Sequence, residues 1–491
     1  MSVSLRVNPI FKNHMVLQRE VEVPIWGTGV DGEIVTVKCR GKQAATTIQA
    51  GRWKVYLPPM EVGGPVELMI ETVSESIVLK DILFGDVWLA GGQSNMEYNL
   101  KDTIDAAQEM ATANLPNVRF YNVPKVAHDD GVKQVSSWKV CSPETAGQLS
   151  GVGYHYAKQV VASQDIPIGI ISCNWGGTSA SCWMSEQVLQ GDPELSLYID
   201  EYMEQVKDFD EGSFEVTEQA YNQQLLQYNR RQANGLKGGE LGDYPWPPPF
   251  SPRSFLRPSG LYETMLLKVA PYALKGALYY QGETDANRPL LYERLMRKLI
   301  DNWRKDWNNP ELPFLFVQLP AYSNNGSPDG DDWPLLRESQ LIVSEEVPHT
   351  GMAVILDCGE YADIHPKDKK PVGERLALVA LDRVYGVEVE SSGPVFDKLT
   401  IEQGRATVTF THTGEGLTSR DIELIGFEIA DEQGRYVIAH ATTRGNRVEV
   451  WSKLIDQPTA VRYGWANYTE ANLINSFGLP AGPFRTHREG R

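Results

Sequence analysis

A serine lies in a glycine-rich turn directly after a run of apolar residues. The run at 87–90 predicts a buried strand that leads into Gly91 and Gly92, with Ser94 two residues further on. Glycines allow a tight turn at the carboxyl end of a strand, which is where open α/β sheets bind ligands. A serine there can act as a nucleophile, while backbone N–H groups at the start of the next helix hold an oxyanion. The alternative is that Ser94 only caps a helix, and this motif by itself favours neither interpretation.

Two further predicted strand ends supply polar groups. After one of them, Gly176 and Gly177 can bring a backbone amide close to a ligand, although an ordinary β-to-α turn shows the same pattern. After the other, Gln281, Glu283 and Asp285 follow two tyrosines without a break. A solvated polar loop is the alternative there, and the direct continuation from the apolar run makes it the weaker one.

One histidine lies two residues after a carboxylate. His365 follows Asp363 in the loop between a predicted buried strand and a helix predicted from 371. The other histidines lie away from any strand-end cluster, where a lone histidine is usually structural or solvated. A base for Ser94 would have to lie in such a loop. The four strand ends together are therefore more specific for nucleophilic catalysis than any one of them.

The elements that position these groups predict an α/β domain. Short continuous apolar runs separated by longer segments occur over 81–386 and are typical of buried parallel strands. Helical periodicity between two of these runs predicts an amphipathic crossover helix over 289–307, and a second helix is expected within 371–386. A parallel sheet with helical connections is the expected architecture.

Alternation of apolar and polar residues predicts β-sandwich-like regions at both ends, over 1–80 and 387–491, and leaves open whether they pack together. Within the middle region, residues 195–258 are acidic, rich in Gln and Tyr, and end in a proline-rich loop. We interpret them as a partly helical insertion. Because long aromatic excursions from such a sheet are usually functional, we expect this insertion to border the site and select the substrate.

Composition excludes several functional classes. The chain of 491 residues carries 46 Lys and Arg against 64 Asp and Glu, a formal charge of −18, which disfavours nucleic-acid binding. Its five cysteines are widely spaced, so we predict reduced thiols and neither a disulfide framework nor a structural zinc site. Nucleotide-binding and metallohydrolase motifs are missing from the sequence, so no metal or cofactor is expected. It also shows neither a signal-peptide pattern nor an apolar run of ~20 residues, which predicts a cytoplasmic protein without membrane association.

The combined blocks resemble the SGNH hydrolases, and within them the sialate O-acetylesterase family of carbohydrate esterases, related to acetylxylan esterases. The similarity is carried by GQSNM, NWGGTSASCW, YYQGETDA and DIHPKDK, and it extends to HMVLQREVEVPIWG, RPSGLYETML, WPLLRESQ and GLPAGPFRT, so it covers nearly the whole chain. The resemblance implies a three-layer SGNH-type α/β domain flanked by the two β regions. It also implies a serine esterase that removes O-acetyl groups from sugars without metal or cofactor.

By that resemblance, Ser94 is the nucleophile and His365 is the general base. The oxyanion donors are then the N–H groups of Ser94 and Gly177 and the side chain of Gln281, which stands where many SGNH hydrolases have asparagine. A donor amide is kept by that change.

The acid that orients the histidine departs from the usual SGNH pattern. Many of these enzymes carry Asp three residues before the histidine, but Ala362 occupies that position and Asp363 is only two residues before His365. In related acetylesterases the glutamate of the Q-G-E block orients the histidine, so Glu283 competes with Asp363 for the role. Because Asp363 lies only two residues from His365 in the chain, it is slightly favoured as the residue that orients the histidine.

The expected partner is an acetylated sugar or oligosaccharide, and no pattern bears on the oligomeric state. The acetylated sugar can be sialic acid or a xylo-oligosaccharide, and the sequence does not decide between them. Trp175 is a candidate for stacking against either sugar. The alternative from another class is a non-catalytic carbohydrate-binding protein. The presence of Ser94, Gln281 and His365 together argues for the enzyme.

Overall fold

The computed structural model describes residues 4–129, 135–236, 240–324 and 326–487. Its longest strand, Ser76–Gly92, has 17 residues and two different halves. The first half alternates between exposed and buried positions and pairs antiparallel with the strand Gly63–Glu71. The second half is buried without interruption, as expected of a strand with structure on both of its faces. The chain thus passes position 80 inside one strand, from the amino-terminal β region into the central sheet.

The central sheet contains six parallel strands, with one antiparallel strand at its edge. The predicted α/β region with parallel strands is therefore present, in a sheet of mixed orientation. Strands that follow Ser76–Gly92 in the chain lie first on one side of it and then on the other. Its carboxyl end is therefore a topological switch point, the position at which open α/β sheets bind ligands. In spatial order the strands are Lys139–Cys141, Leu115–Asn122, Ile168–Asn174, Ser76–Gly92, Gly276–Tyr280, Phe314–Val317 and Thr350–Ala353.

Helices cover both faces of this sheet. The Trp88 ring packs against Tyr156 with the ring centroids 5.3 Å apart, whereas a Cβ added at Gly91 would come 2.7 Å from the Trp303 ring. Residues three apart on a strand point to opposite faces, so the helices that carry Tyr156 and Trp303 lie on opposite sides. The two helix pairs are Gly151–Gln164 with Lys370–Arg383, and Pro289–Asp306 with Asp332–Glu346.

Both helices predicted from periodicity are present, as Pro289–Asp306 and Lys370–Arg383. The expected apolar face of the first is buried, including Tyr292, Met296 and Ile300. Shorter helical segments connect the other elements of this region. They are Ser94–Glu97, Ala106–Thr112 and Leu267–Val269, with single 3-10 turns at Leu100–Asp102, Ala146–Gln148, Ala180–Trp183, Glu283–Asp285 and Leu356–Cys358.

The amino-terminal region contains the short strands that its alternation predicts. In Arg52–Leu57 every second residue is buried, so one face of the sheet packs on a core and the other meets solvent. The strands before Ser76–Gly92 are Arg6–Val7, Val16–Gln18, Val23–Thr28, Ile34–Cys39, Lys42–Thr47, Arg52–Leu57 and Gly63–Glu71.

The carboxyl-terminal region is also built of strands around its own apolar core, which includes Phe427 and Phe484. It is joined to the α/β region through Arg337, a buried residue of helix Asp332–Glu346 whose guanidinium donates to the main-chain carbonyls of Ala466 and Asn467. The strands are Val395–Glu402, Arg405–Thr411, Leu417–Ser419, Phe427–Ala430, Tyr436–Ile438, His440–Arg444, Arg447–Trp451, Ala460–Tyr463, Leu473–Asn475 and Phe484–Arg485.

The segment Ser181–Lys268 belongs to a second compact unit, separate from the unit that holds the central sheet and both β regions. Its longer helices are Ser196–Val206 and Glu211–Ala233, so this part of the chain has the helical content that was expected of 195–258. A shorter helix, Glu186–Gln190, precedes them. The selection of substrate by 195–258 stays a prediction. Over the described residues, none of the helices has the length and apolar character needed to cross a membrane.

Candidate active site

The turn after the strand Ser76–Gly92, here called the serine turn (residues 92–97), places Ser94 at the start of a short helix. Gly92 has a φ of +127°, and a Cβ there would lie 2.1 Å from the carbonyl oxygen of Tyr280, so the turn requires glycine. Gln93 occupies the cap position of the helix Ser94–Glu97, so capping is not the role of Ser94. Instead, Ser94 Oγ lies 2.8 Å from Nε2 of His365.

The glycine turn after Ile168–Asn174 packs directly on the serine turn. A Cβ added at Gly176 would come 3.1 Å from Cβ of Ser94, and the Gly176 N–H donates to Glu97 Oε2 at 2.7 Å. Gly177 has a φ of +74°. Within the described part of the chain, the backbone N–H groups of Ser94 and Gly177 have no hydrogen-bond acceptor. These two amides are therefore available to a ligand beside Ser94.

Trp175, the candidate for sugar stacking, belongs to the same turn. Its backbone N–H donates to the carbonyl of Gly92 at 3.2 Å, which joins the glycine turn to the serine turn. Its side chain is half-buried.

The histidine loop, residues 354–369, brings His365 to Ser94 from the carboxyl end of another strand. Asp363 Oδ1 accepts the backbone N–H of His365 at 2.9 Å and lies 4.0 Å from the ring Nδ1. The latter distance allows an ion pair but exceeds a hydrogen bond. Tyr98 stacks on the imidazole with the ring centroids 6.4 Å apart.

The surroundings of His365 favour its neutral form. Partial burial of the ring and the positive charge of Lys369 lower its pKa, while Asp363 and Glu97 oppose them. A neutral imidazole at neutral pH is the form that can accept a proton. The site therefore holds the Ser94 hydroxyl group beside an imidazole that can accept a proton.

Glu283, the rival candidate for the acid, is linked through Asn95 to the backbone next to His365. Its Oε1 accepts a hydrogen bond from Asn95 Nδ2 at 2.5 Å, and the same Nδ2 donates to the carbonyl of Ile364 at 2.9 Å. Burial raises the pKa of the Glu283 carboxyl, against the lowering effect of the Asn95 bond. Of the two carboxylates, Asp363 is thus the one beside the His365 ring.

Gln281 is buried and its side chain joins several strand ends. Its Nε2 donates to Asp285 Oδ2 at 2.7 Å and to Gln93 Oε1 and the Thr178 carbonyl, both at 3.2 Å. Its Oε1 accepts from the hydroxyl of Tyr292 at 3.1 Å. Both amide hydrogens are engaged in this arrangement. The oxyanion-donor role stays a prediction, and it requires Gln281 to exchange one of these acceptors for the substrate.

Two residues that the sequence interpretation did not single out lie at the centre of the site. Asn95 directly follows Ser94, and its Oδ1 accepts a hydrogen bond from Nζ of Lys369 at 2.6 Å. Both residues belong to the blocks that carried the family resemblance. The sequence pattern could not predict their hydrogen bond, because 274 positions separate the two residues in the chain.

The described part of the chain contains one group of potential metal ligands, Asp105, Glu109 and His155. A lysine already forms an ion pair with this group, since Lys158 Nζ lies 2.5 Å from Glu109 Oε2. The Tyr154 hydroxyl donates to the same oxygen at 3.0 Å. The arrangement suits an ion-pair cluster better than a metal site, and the expected independence from metals stays a prediction.

Comparison with known proteins identifies the family. A model of carbohydrate esterases described as sialic acid-specific acetylesterase matches residues 250–380. Sialate O-acetylesterases from mouse and human are 28% and 27% identical to this chain, each over 98% of it and over 94% and 92% of their own lengths. The structure of a carbohydrate acetylesterase from Xanthomonas citri superposes with a TM-score of 0.81 at 33% identity, covering 98% of this chain and 99% of that one.

The chain belongs to the sialic acid-specific acetylesterase family of carbohydrate esterases. This confirms the family resemblance seen in the sequence. It also makes the protein a carboxylic ester hydrolase. The α/β architecture with additional β-sheet regions agrees with that of the Xanthomonas enzyme.

Proposed function

We propose that the protein is a serine esterase that removes O-acetyl groups from carbohydrates through an acetyl-enzyme on Ser94. The 2.8 Å contact between Ser94 Oγ and His365 Nε2, at the carboxyl end of the switch-point strand, carries this proposal. The names of the relatives support an acetylated sugar as substrate. O-acetylated sialic acid is the first candidate, and acetylated xylo-oligosaccharides are the alternative.

In the first half of the proposed reaction, His365 Nε2 takes the proton of Ser94 as Oγ bonds to the acetyl carbon. The carbonyl electron pair moves onto oxygen, and the free N–H groups of Ser94 and Gly177 donate to the resulting oxyanion. Collapse of this intermediate breaks the bond to the sugar oxygen, which leaves with the proton from His365. The sugar is released and the acetyl group stays on Ser94.

The second half regenerates the enzyme. His365 removes a proton from water as the water oxygen bonds to the acetyl carbon, and the proton then returns to Ser94 Oγ as acetate leaves. In both halves the imidazole becomes positively charged. We assign the stabilisation of that charge to Asp363, whose carboxylate lies 4.0 Å from Nδ1, and an indirect action on the loop through Asn95 to Glu283.

The proposed fold is the three-layer SGNH type, supported by helices on both faces of the parallel sheet. We place this domain over residues 81–386, with the insertion at 195–258. The β regions at 1–80 and 387–491 flank it in this proposal.

Replacement of the nucleophile tests the proposed function. Ser94→Ala should lower kcat by at least about 10³-fold and leave the fold intact, because the hydroxyl group serves chemistry and not packing. Acetate release from O-acetylated sialic acid, acetylated xylo-oligosaccharides and p-nitrophenyl acetate measures the effect and ranks the sugars. Ser163→Ala, at an exposed helix position, is the matched control. Wild-type turnover by correctly folded Ser94→Ala protein would reject the mechanism.

A covalent probe gives an independent readout. A fluorophosphonate should add one label to the wild-type protein and none to Ser94→Ala, since only an activated serine reacts. Peptide mass spectrometry locates the label. Labelling elsewhere, with activity lost in parallel, would assign the nucleophile to another residue.

A further inference from the structure

Lys369 is a fully buried lysine next to the reacting pair. It lies four residues after His365 and directly before the helix Lys370–Arg383, and its exposed fraction is 0%. Lysine is almost never buried without partners, because removing an ammonium group from water is costly. The rings of Tyr98 and Tyr280 lie 5.0 Å and 5.7 Å from its Nζ, within the range of cation–π attraction.

The hydrogen bond from Lys369 determines how the Asn95 amide is oriented. A lysine ammonium can only donate, so the atom of Asn95 that lies 2.6 Å from Nζ must be the oxygen. The two hydrogens of Nδ2 then point to acceptors, Glu283 Oε1 and the Ile364 carbonyl. Every polar atom of the Asn95 side chain is satisfied in this one orientation, and a flipped amide would lose all three bonds.

Asn95 joins the two sides of the reacting pair. It directly follows the nucleophile in the chain, and it holds the carbonyl group of the residue directly before His365. We propose that Lys369 is a positioning residue of this esterase, which locks the Asn95 amide so that the serine turn and the histidine loop keep Ser94 and His365 in hydrogen-bond contact. This inference rests on the proposed serine mechanism and adds to it a residue that does not touch the substrate.

The charge of Lys369 acts on the same histidine. The groups that face His365 are Lys369, Asp363 and Glu97, together with the Tyr98 ring, and only Lys369 among them lowers the pKa of the imidazole by its charge. Loss of the lysine charge should therefore raise the pKa of His365.

Burial lowers the pKa of Lys369 itself to about 8, against the opposing effect of nearby acidic groups. The ammonium form is therefore the main one at neutral pH, and it prevails throughout the range in which His365 titrates. The acidic groups that face Lys369 are Glu283, Asp363, Glu360 and the thiol of Cys358.

The test compares Lys369→Met with Lys370→Met, which replaces the exposed neighbouring lysine. We expect Lys369→Met to lower kcat about 10- to 100-fold with KM within about threefold, because the pair is misplaced while the sugar contacts stay. The acid limb of the pH profile of kcat/KM should move to higher pH. Lys370→Met should match the wild type in all three quantities.

Asn95→Ala provides a second variant in case Lys369→Met does not fold. It removes the amide that Lys369 orients but keeps the charge, so kcat should fall without an upward shift of the acid limb. In the double variant, the loss of kcat should be smaller than the product of the two single losses, because both act through one hydrogen-bond chain. Independent losses that multiply would overturn the positioning role.

The outcomes separate this inference from the proposed function. Turnover that depends on Ser94 but has an unchanged kcat and an unchanged pH profile in Lys369→Met overturns the role of Lys369 alone. Turnover that survives in Ser94→Ala overturns the serine mechanism and, with it, this inference. A lower kcat without any shift of the acid limb would keep the positioning role through Asn95 and overturn the effect of the Lys369 charge on His365.

Discussion

The serine turn and the histidine loop meet at one hydrogen bond but are held in different ways. The serine turn ends a strand that pairs with a parallel neighbour on each side, and its Gly92 fits closely against Tyr280. The histidine loop, residues 354–369, contains only the short 3-10 turn Leu356–Cys358 as regular structure. The side chains of Asp363 and His365 are 42% and 39% exposed.

Because of this difference, we expect substitutions in the two segments to have different main effects, on the stability of the fold in one and on catalysis in the other. The sheet fixes the proposed nucleophile through backbone pairing, so changes that disturb the backbone of the serine turn, as at Gly92, should act first on folding. A few tertiary bonds hold the loop of the proposed base, His365, among them Asn95 to the Ile364 carbonyl and the backbone bond from Ile104 to Lys367. Changes in the loop should therefore act first on kcat.

The largest stability effect is expected in the serine turn. Gly92→Ala would place a Cβ 2.1 Å from the Tyr280 carbonyl oxygen at a φ of +127°, and backbone cannot move aside cheaply. We expect the free energy of unfolding to fall by at least about 3 kcal/mol, measured by denaturant titration. Gly51→Ala is the control, because its φ is also positive at +70° but its Cβ would meet open space. Similar losses in both variants would contradict a tight serine turn.

A large kcat effect with little loss of stability is expected in the histidine loop. Asp363→Ala should lower kcat by about 10²-fold or more, because the imidazolium formed during the reaction loses its nearest carboxylate. Glu283→Ala is the matched variant and should instead lower the free energy of unfolding by about 1–3 kcal/mol, since it leaves a buried Asn95 donor unpaired. Steady-state kinetics and denaturant unfolding measure both. A larger kcat loss in Glu283→Ala would assign the acid to Glu283.

The smallest effect concerns the pH dependence of the wild-type enzyme. Protonation of His365 removes the proposed base, so kcat/KM should fall as the pH drops through the pKa of this residue. Burial and Lys369 lower that pKa, so the midpoint of the acid limb should lie below the ordinary value of 6.5. Hydrolysis of p-nitrophenyl acetate between about pH 4.5 and 8 at constant ionic strength measures it. A midpoint above 6.5 would mean that solvent and Asp363 outweigh burial in this loop.

Local patterns were enough to predict much of this molecule. Continuous apolar runs predicted the central strands, the 3.6-residue period predicted Pro289–Asp306, and the glycines after the strand located the turn that holds Ser94. The strand Leu115–Asn122 was not predicted, because its polar and apolar residues are mixed and it differs from the continuous runs of its neighbours. A sequence pattern indicates whether a strand is buried on one face or on both. A strand near the edge of a sheet, such as Leu115–Asn122, has a mixed pattern that does not identify it as a strand.

The sequence by itself determined that Ser94 and His365 stand at strand ends of one parallel sheet, because turn chemistry and periodicity are local properties of the chain. Only the tertiary structure decided which groups surround them. It placed Asp363 beside the imidazole, joined Glu283 and Lys369 through Asn95, and engaged the Gln281 amide with its neighbours. The physical reason is that a hydrogen bond forms only when the donor–acceptor distance is right to within a few tenths of an ångström, and these donors and acceptors lie far apart in the chain. Sheet order and loop path set those distances, and spacing along the sequence does not record them.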